Sequence, residues 1–284
     1  MNALEIKDLN KNFGAFNLDS INLELPQGYI LGYVGQNGAG KTTTIKLIME
    51  HLKRDSGEIS VFGKRFSDDE VGFKDTIGYI ADECYFPGCF TTKDVKNSLK
   101  SFYKSFDEQK FTSYMKKWGL IGNKKIKDFS KGMKIKLMFA SVLSRETGLL
   151  LLDEPTSGLD PVVRSEILEL LQDYISDGKR SVLFSTHIMS DLEKIADYLY
   201  FIDEGKIIFH DTKDKVLDDF LLIKGGSFDL TKEMREKLIG YKKSNIGFEG
   251  LIHVEDSKYL EDDLLVEKPS IEDIVVFHIN GLRG

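Results

Sequence analysis

The segment from Gly32 to Ile48, GYVGQNGAGKTTTIKLI, constrains the fold of this chain more than any other stretch. An apolar run at 29–34 comes before three closely spaced glycines, and apolar residues at helical spacing come after them. This order predicts a buried strand, a tight loop and a helix. Residues 35–42 match the phosphate-loop pattern G-x-x-x-x-G-K-[ST] in full. The sequence therefore predicts a polyphosphate site, and the strand–loop–helix context disfavours the alternative of a chance glycine turn.

Each part of this loop has a predicted role. Glycines let the backbone curl so that successive N–H groups point inward and hold an anion. The helix that begins near Lys41 adds its positive end, and the Lys41 ammonium reaches the β- and γ-phosphates. The Thr42 hydroxyl is the candidate ligand of Mg²⁺. The predicted nucleotide-binding residues of the loop are Gly35, Asn37, Gly38, Ala39, Gly40, Lys41, Thr42 and Thr43.

A second part of the site is predicted at 149–155, LLLLDEP. Four leucines followed by two carboxylates are typical of a buried parallel strand, and ligands of such sheets bind beyond the carboxyl ends of the strands. There Asp153 can hold Mg²⁺ beside Lys41 and Thr42, and Glu154 can polarise a water in line with the γ-phosphate. Acidic residues also end strands without any chemical role. The phosphate loop upstream favours the catalytic interpretation.

Hydrophobic periodicity predicts an α/β chain. Strands are predicted at 3–9, 17–25, 29–34, 58–62, 76–81, 149–152, 181–185, 198–202 and 251–254. Helical stripes are predicted within 94–146 and at 162–175, 188–196 and 231–239. Strands that alternate with helices after residue 149 indicate a parallel sheet with crossover helices. Ser270 and Asp273 resemble a capping box at the start of a last helix.

Composition narrows the function classes. The 284 residues carry a formal net charge of −7, which argues against a general nucleic-acid binder, since such proteins usually carry a basic face. No apolar run approaches the roughly 18 residues of a membrane helix, and the N-terminus lacks a signal-peptide layout. We therefore expect a soluble, cytosolic chain that reaches a membrane only through a partner. Cys84 and Cys89 are then expected to be free thiols.

Further motifs accompany these two, and their order from Phe13 to His187 resembles the ATP-binding subunit of an ABC transporter. Phe13, in KNFG, lies where that family stacks an aromatic ring on adenine; a core phenylalanine is the alternative. His187, just after the strand at 181–185, resembles the switch histidine that contacts the γ-phosphate, although a lone histidine is more often a bystander. Residues 157–160, SGLD, resemble the D-loop that communicates between two ATP sites.

Residues 129–133, FSKGM, lie where the family has its LSGGQ signature. The resemblance implies that Ser130, the Gly132 amide and the following helix N-terminus grip the γ-phosphate bound to the opposite subunit of a head-to-tail dimer. Lys131 and Met133 depart from the third and fifth signature residues, and this form resembles exporter subfamilies of the antibiotic- and peptide-efflux type. Because Ser130 and Gly132 remain, we interpret the motif as a variant rather than an inactive signature.

A second departure lies in the Q-loop, whose glutamine is a Mg²⁺ and water ligand in the family. The aligned residue here is Asp82, with Glu83 next to it. A carboxylate can approach Mg²⁺, so Asp82 is a candidate metal ligand, but it adds charge to a site that already holds Asp153 and Glu154. The apolar stretch at 84–89 follows, where the family receives the coupling helix of the membrane subunit; packing on the helical region is the alternative.

The resemblance implies an α/β fold with a P-loop NTPase (RecA-like) core, a small antiparallel β subdomain, a helical subdomain inserted at about 83–146 and a C-terminal extension. Residues 1–215 would form the ABC ATPase domain and 216–284 an accessory α/β segment. The implied cofactors are ATP and Mg²⁺. The implied partners are a second ATP-binding subunit, identical or different, and an integral-membrane permease that holds the chain at the inner face of the cell membrane. No nucleic-acid partner is expected.

The implied function is ATP hydrolysis that powers a separately encoded permease, with export of a peptide, an antibiotic or another amphipathic compound. A weakly or non-hydrolysing switch subunit of a heterodimeric complex is the alternative; the unusual Q-loop favours it, and Glu154 and His187 oppose it. A soluble ABC protein that acts on ribosomes or DNA usually has two nucleotide domains or long coiled coils. A GTPase would carry an NKxD motif, which this sequence lacks.

Overall fold

The computed structural model describes residues 1–226, 228–260 and 264–283. The strands are β1 (Asn2–Asn12), β2 (Asn17–Pro26), β3 (Ile30–Val34), β4 (Ser56–Val61), β5 (Ile77–Ile80), β6 (Leu149–Asp153), β7 (Ser181–Thr186), β8 (Tyr198–Asp203), β9 (Lys206–Thr212), β10 (Phe220–Gly225), β11 (Gly240–Lys243), β12 (Phe248–His253) and β13 (Leu265–Glu267). The α-helices are α1 (Lys41–Ile48), α2 (Glu70–Thr76), α3 (Thr92–Phe102), α4 (Glu108–Lys117), α5 (Lys131–Leu143), α6 (Pro161–Ile175), α7 (Met189–Ile195), α8 (Lys213–Asp218), α9 (Lys232–Lys237) and α10 (Ile271–Arg283). Each strand predicted from periodicity overlaps an observed one.

The central sheet has six strands in the order β5-β6-β7-β3-β8-β9. Neighbours are parallel up to β8, which confirms the predicted parallel sheet, and β9 alone runs antiparallel. β3 and β6 are buried along their whole length, as expected of strands covered on both faces. β9 was not predicted. It follows β8 through a two-residue turn in which Glu204 and Gly205 both have positive φ, the conformation that favours a tight hairpin.

The register of this sheet aligns the carboxyl ends of three strands. Val34 of β3 lies opposite Thr186 of β7, and Asp153 of β6 lies opposite Ser185 of β7. The phosphate loop follows β3 directly, Glu154 follows β6 and His187 follows β7. Three segments that are far apart in the sequence therefore meet at one edge of the sheet.

A separate three-stranded antiparallel sheet has the order β2-β1-β4. Its buried face comes from alternate residues, so that Leu4 lies between Leu25 of β2 and Val61 of β4. The phosphate-loop helix α1 contributes buried residues to the same core cluster. This sheet therefore covers one side of the central sheet and brings the turn between β1 and β2 toward the phosphate loop.

The helices α3, α4 and α5 pack around a core of their own in the region predicted to be helical. Val95, Phe111 and Leu137 represent the three helices in this core, and all three are almost fully buried. Thr91 and Asp94 form a capping box at the start of α3, and Asp107 caps α4. Side chains at the helix starts thus accept hydrogen bonds from backbone N–H groups that have no partner within the helix.

The C-terminal part forms a four-stranded antiparallel sheet in the order β11-β12-β10-β13. The helix α10 packs against β11 and β12 and also against α7 of the central layer. Gly281 permits this contact, because a Cβ there would lie 1.8 Å from the Ile239 carbonyl oxygen. The capping box is confirmed: the Ser270 backbone N–H donates to Asp273 Oδ2 at 2.9 Å, and the Asp273 backbone N–H donates to Ser270 Oγ at 3.1 Å.

Three of these C-terminal strands, β10, β11 and β13, were not predicted. They are short and lack a regular apolar alternation; β11, for example, reads GYKK with only its glycine buried. Across the described ranges, every helix is too short or too polar to cross a lipid bilayer. The α/β class and the parallel sheet are as the sequence predicts, and the separate antiparallel β layer is as the family resemblance implies.

Candidate functional site

The phosphate loop turns sharply at Gly40, the residue before α1. Gly40 has φ 117°, and a Cβ built on it would lie 2.6 Å from the Leu18 Cδ2 atom and 3.1 Å from the Phe16 ring. Both the backbone conformation and the space therefore require glycine. The loop residues 36–38 and 40–43 line a cavity of about 200 Å³ together with Phe16 and Glu154. The loop has the predicted strand–loop–helix context.

Lys41 lies under this loop and is 6% exposed. Its Nζ donates to the carbonyl oxygens of Gly35 at 2.7 Å and Gln36 at 3.2 Å, and lies 3.4 Å from Glu154 Oε1. The loop carbonyls and one carboxylate thus hold the ammonium next to the cavity. The structure therefore brings two predicted site residues from distant segments, Lys41 and Glu154, into contact.

Asp153 ends β6 and is 5% exposed. Its Oδ1 accepts hydrogen bonds from Thr42 Oγ1 at 3.1 Å and from Ser185 Oγ at 3.3 Å. Burial raises the pKa of the Asp153 carboxyl, and the Glu154 charge adds to this, while the two hydroxyls and the Lys41 charge act against it. A cation at this carboxylate would offset the cost of burying its charge, so Thr42 and Asp153 fit a Mg²⁺ site.

The Asp153 charge also acts on Tyr79 of β5. Burial and this neighbouring charge together raise the pKa of the Tyr79 hydroxyl to about 12. Ser185 and Tyr79 were not identified from the sequence. The signal for Ser185 was its place at the carboxyl end of a strand next to β6, but the order of strands in a sheet cannot be taken from periodicity alone.

Glu154 has an unusual backbone conformation, and both its backbone and its side chain make hydrogen bonds. Its φ of 53° lies in the left-handed region that non-glycine residues seldom occupy, and its N–H donates to the Ser185 carbonyl oxygen at 3.0 Å. Its Oε2 lies 2.8 Å from His187 Nδ1, whereas no group in the described part of the chain donates a hydrogen bond to its buried Oε1. The structure therefore pairs the predicted base with the predicted switch histidine and leaves one carboxylate oxygen near the loop.

Two aromatic residues, Phe13 and Phe16, lie in the turn between β1 and β2. A cavity of about 970 Å³ extends from the phosphate loop to the turn between β1 and β2, and Lys11, Phe16 and Asn37 are among its lining residues. Phe13 is 47% exposed, and its ring centroid lies 6.4 Å from that of Phe16. Phe16 was missed in the sequence, although it lies only three residues after Phe13. The adenine-stacking role of Phe13 stays a prediction.

The signature residues lie at the start of α5, away from Lys41 in the sequence and on a different helix. Ser130 caps α5 and accepts a hydrogen bond from the Met133 N–H at 3.2 Å. A Cβ on Gly132 would lie 3.4 Å from the Val163 side chain of α6. The structure thus confirms a helix N-terminus at the signature, and its predicted grip on a phosphate of an opposite subunit stays a prediction.

The two departures from the family motifs are in direct contact. Lys131 Nζ lies 2.9 Å from Asp82 Oδ1, and a Cβ on Gly158 would lie 3.6 Å from the same Nζ atom. The positive charge that replaces a signature glycine therefore pairs with the negative charge that replaces the Q-loop glutamine. Asp82 is bound by Lys131 in this structure, and its role as a metal ligand stays a prediction.

Comparisons with known proteins agree with these motifs. The family model described as "ABC transporter" matches residues 18–157. The chain is 32% identical over 211 residues to the bacitracin transport ATP-binding protein BcrA of Bacillus licheniformis, which covers 72% of this chain and 68% of that protein. It is 33% identical over 216 residues to the lantibiotic transport ATP-binding protein SrtF of Streptococcus pyogenes, which covers 74% of this chain and 91% of that protein.

Solved structures share the fold. A structure described as the ATP binding subunit of an ABC transporter matches with a TM-score of 0.70 at 27% identity, covering 75% of this chain and 91% of that one. The ATP-binding cassette MJ0796, described as a dimer in a post-hydrolysis state bound to ADP and Pi, matches with a TM-score of 0.65 at 20% identity. That match covers 74% of this chain and 98% of the other.

Proposed function

Since this chain belongs to the family of ATP-binding subunits of ABC transporters, we propose that it binds and hydrolyses ATP to drive a membrane transport complex. One observation carries the proposal: three contacts between distant segments converge at one edge of the central sheet. Thr42 donates to Asp153, and Glu154 contacts both Lys41 and His187. This arrangement supplies a phosphate-binding group, a metal-binding pair and a base within one cleft.

In our proposal, residues 35–43 bind the phosphates of ATP. The backbone N–H groups of the loop and the N-terminus of α1 provide an anion site with a favourable dipole. Lys41 exchanges its present partners, two loop carbonyls and Glu154, for phosphate oxygens. Thr42 and Asp153 would hold Mg²⁺, which would neutralise charge on the phosphates when bound.

Glu154 is the proposed general base for the attacking water. His187 orients the carboxylate through Oε2, so that Oε1 is the oxygen that can accept a proton. In this structure Lys41 Nζ lies 3.4 Å from that oxygen. When Lys41 turns to the phosphates, Glu154 Oε1 becomes available, so that nucleotide binding itself prepares the base.

We propose further that Ser130 and Gly132 act on ATP bound to a second subunit in a head-to-tail dimer. α5 has 13 residues and begins at Lys131, directly after its N-cap Ser130, and both of these residues are exposed. A helix terminus of this kind favours a negatively charged group. The motif order supports the trans arrangement, since the same chain provides both a phosphate loop and a signature on different elements.

The names of the relatives suggest the cargo class. One is described as a bacitracin transport ATP-binding protein and the other as a lantibiotic transport ATP-binding protein. We propose an exporter of a peptide or similar amphipathic compound, with cargo selected by a separately encoded integral-membrane permease. The chain would then lie at the inner face of the cell membrane, bound through that permease.

The test of the ATPase proposal is steady-state hydrolysis by the purified chain beside Glu154→Gln, with size-exclusion chromatography in ATP and Mg²⁺. We expect turnover in the wild type, a loss of at least about a hundredfold in the variant and an ATP-dependent dimer of the variant. Gln keeps the shape of the side chain and removes its basicity, so a folding defect is not expected. A variant that hydrolyses ATP at the wild-type rate would exclude Glu154 as the base.

A switch subunit that binds ATP without efficient hydrolysis is the second candidate, and the Asp82–Lys131 pair is the observation in its favour. It predicts tight ATP binding with neither turnover nor a homodimer. Turnover that appears only when a different ATP-binding subunit is added would support this candidate and a heterodimeric complex.

A further inference from the structure

A buried carboxylate connects the segments that carry Glu154 and His187. Asp191 lies in the first turn of α7, four residues after His187, and is 0% exposed. Its Oδ2 accepts a hydrogen bond from Thr156 Oγ1 at 2.7 Å, and its Oδ1 accepts one from Arg164 Nε. Both carboxylate oxygens are therefore satisfied by groups from other segments.

These partners belong to the two other elements around the site. Thr156 lies two residues after Glu154 and is 1% exposed, and its carbonyl oxygen accepts from the Leu159 N–H at 3.2 Å. Arg164 lies on α6 and also donates to Ser190 Oγ of α7 at 2.8 Å. Asp191 thus fixes the segment that follows β6, the start of α6 and the start of α7 to one another.

The conformation of Glu154 needs such an anchor. A non-glycine residue with φ of 53° is strained and keeps this conformation only where neighbouring contacts hold it. On its N-terminal side, the Glu154 N–H is held by the Ser185 carbonyl oxygen. On its C-terminal side, the Glu154 carbonyl oxygen accepts a hydrogen bond from the Ser157 N–H at 3.2 Å, and Thr156, which lies between these two residues, is bound through its hydroxyl to Asp191. The same carboxylate belongs to the helix that begins just after His187.

We infer that Asp191 is a positioning residue, which holds Glu154 and His187 at the 2.8 Å separation needed for the proposed hydrolysis. The inference rests on the proposed function. Packing alone does not require a charge here, because a buried ion pair seldom stabilises a fold more than apolar residues of the same volume. α7 already has the apolar anchors Leu192 and Ile195, which are almost fully buried.

The experiment compares Thr156→Val, which keeps the volume and removes the hydroxyl, with Thr156→Ser, which keeps the hydroxyl. Asp191→Asn is the second probe. Thr147→Val is the matched control, since Thr147 is also buried and hydrogen-bonded, to Tyr174, but lies just before β6 at the other end of that strand. For Thr156→Val and Asp191→Asn we expect kcat to fall by about tenfold to a hundredfold with KM for ATP within about threefold.

Thr156→Ser and Thr147→Val should keep kcat within about threefold of the wild type. Backbone hydrogen exchange of the nucleotide-free protein is a second measurement that does not need turnover. Thr156→Val should accelerate exchange at Glu154 and at His187 together by about tenfold, with β12 unchanged.

The inference would be overturned if Thr156→Val and Thr156→Ser had equal kcat values and equal exchange rates. It would also be overturned if Thr156→Val and Thr147→Val changed kcat and the exchange rates equally. Thr156→Val decides the matter even if Asp191→Asn does not fold. A wild type without turnover would count against the proposed function, whereas the exchange comparison would still decide the role of Asp191.

Discussion

The two halves of the nucleotide site hold their charged groups in opposite ways. In the half formed by the phosphate loop and the ends of β6 and β7, Lys41 and Asp153 are only 6% and 5% exposed and are bound by groups of their own chain. In the signature half, the side chains of Lys131 and Asp82 are 46% and 51% exposed and pair with each other. One half is fixed by the fold, and the other is accessible to a partner.

This difference has an energetic meaning. A buried carboxylate costs folding free energy unless it is neutralised. In the first half, a cation bound at Asp153 would offset this cost. An exposed ion pair contributes little to stability and can be exchanged for other partners at small cost. The first half therefore fits the proposed nucleotide site, and the second fits the proposed contact with another subunit.

The largest expected effect is that of Asp153→Asn. Removing a proposed Mg²⁺ ligand should lower ATP hydrolysis by at least about a hundredfold. The same change should raise the melting temperature at pH 7, because the wild type has to bury a charged carboxylate whose pKa in the folded protein is raised by burial. Calorimetry without nucleotide and a steady-state ATPase assay measure the two effects.

The pH dependence of folding stability tests the sign of the effect expected for Asp153→Asn. When the pKa of an acid is higher in the folded state, the folded state binds more protons, and stability falls as pH rises from the unfolded value, 3.8, through the folded one. The advantage of Asp153→Asn should therefore shrink toward acidic pH. A variant that is less stable than the wild type at pH 7 would show that Asp153 is already neutralised within the chain.

A smaller effect is expected in the turn between β1 and β2, where two aromatic residues have different neighbours. Phe13→Ala should weaken ATP binding by about 1–3 kcal/mol and leave inorganic triphosphate binding unchanged, if its ring stacks on adenine. Phe16 packs against Gly40 of the phosphate loop, so Phe16→Ala should weaken both ligands. Titration of each variant with both ligands distinguishes the roles. Equal losses for ATP and triphosphate in Phe13→Ala would contradict adenine stacking.

The sequence was most informative where a short segment carries both a structure and its chemistry. The loop from Gly35 to Thr42 and the strand that ends at Asp153 could be identified because strand, loop, helix and functional residues are contiguous. The parallel sheet then accounts for their meeting, since the carboxyl ends of parallel strands lie at one edge.

Other contacts could not be predicted because they join distant residues through side-chain geometry. Asp191 and Thr156 are 35 residues apart, and Asp82 and Lys131 are 49 apart. No local period brings either pair together. β9 and β13 were missed for a related reason: they are half-exposed or exposed strands whose pattern does not differ from that of a polar loop.

The smallest expected effect concerns the Lys131–Asp82 pair. A double-mutant cycle with Lys131→Ala and Asp82→Asn should give a coupling of about 0.2–1 kcal/mol in the free energy of unfolding, since both side chains are about half exposed. Raising the salt concentration should reduce it further. The cycle is measured by urea unfolding of the four proteins without nucleotide.

A coupling above about 2 kcal/mol would mean that the pair is desolvated, in which case the signature half is as rigid as the phosphate-loop half. A weak coupling would leave Lys131 available to another anion, as expected if this half faces the second subunit of the proposed dimer.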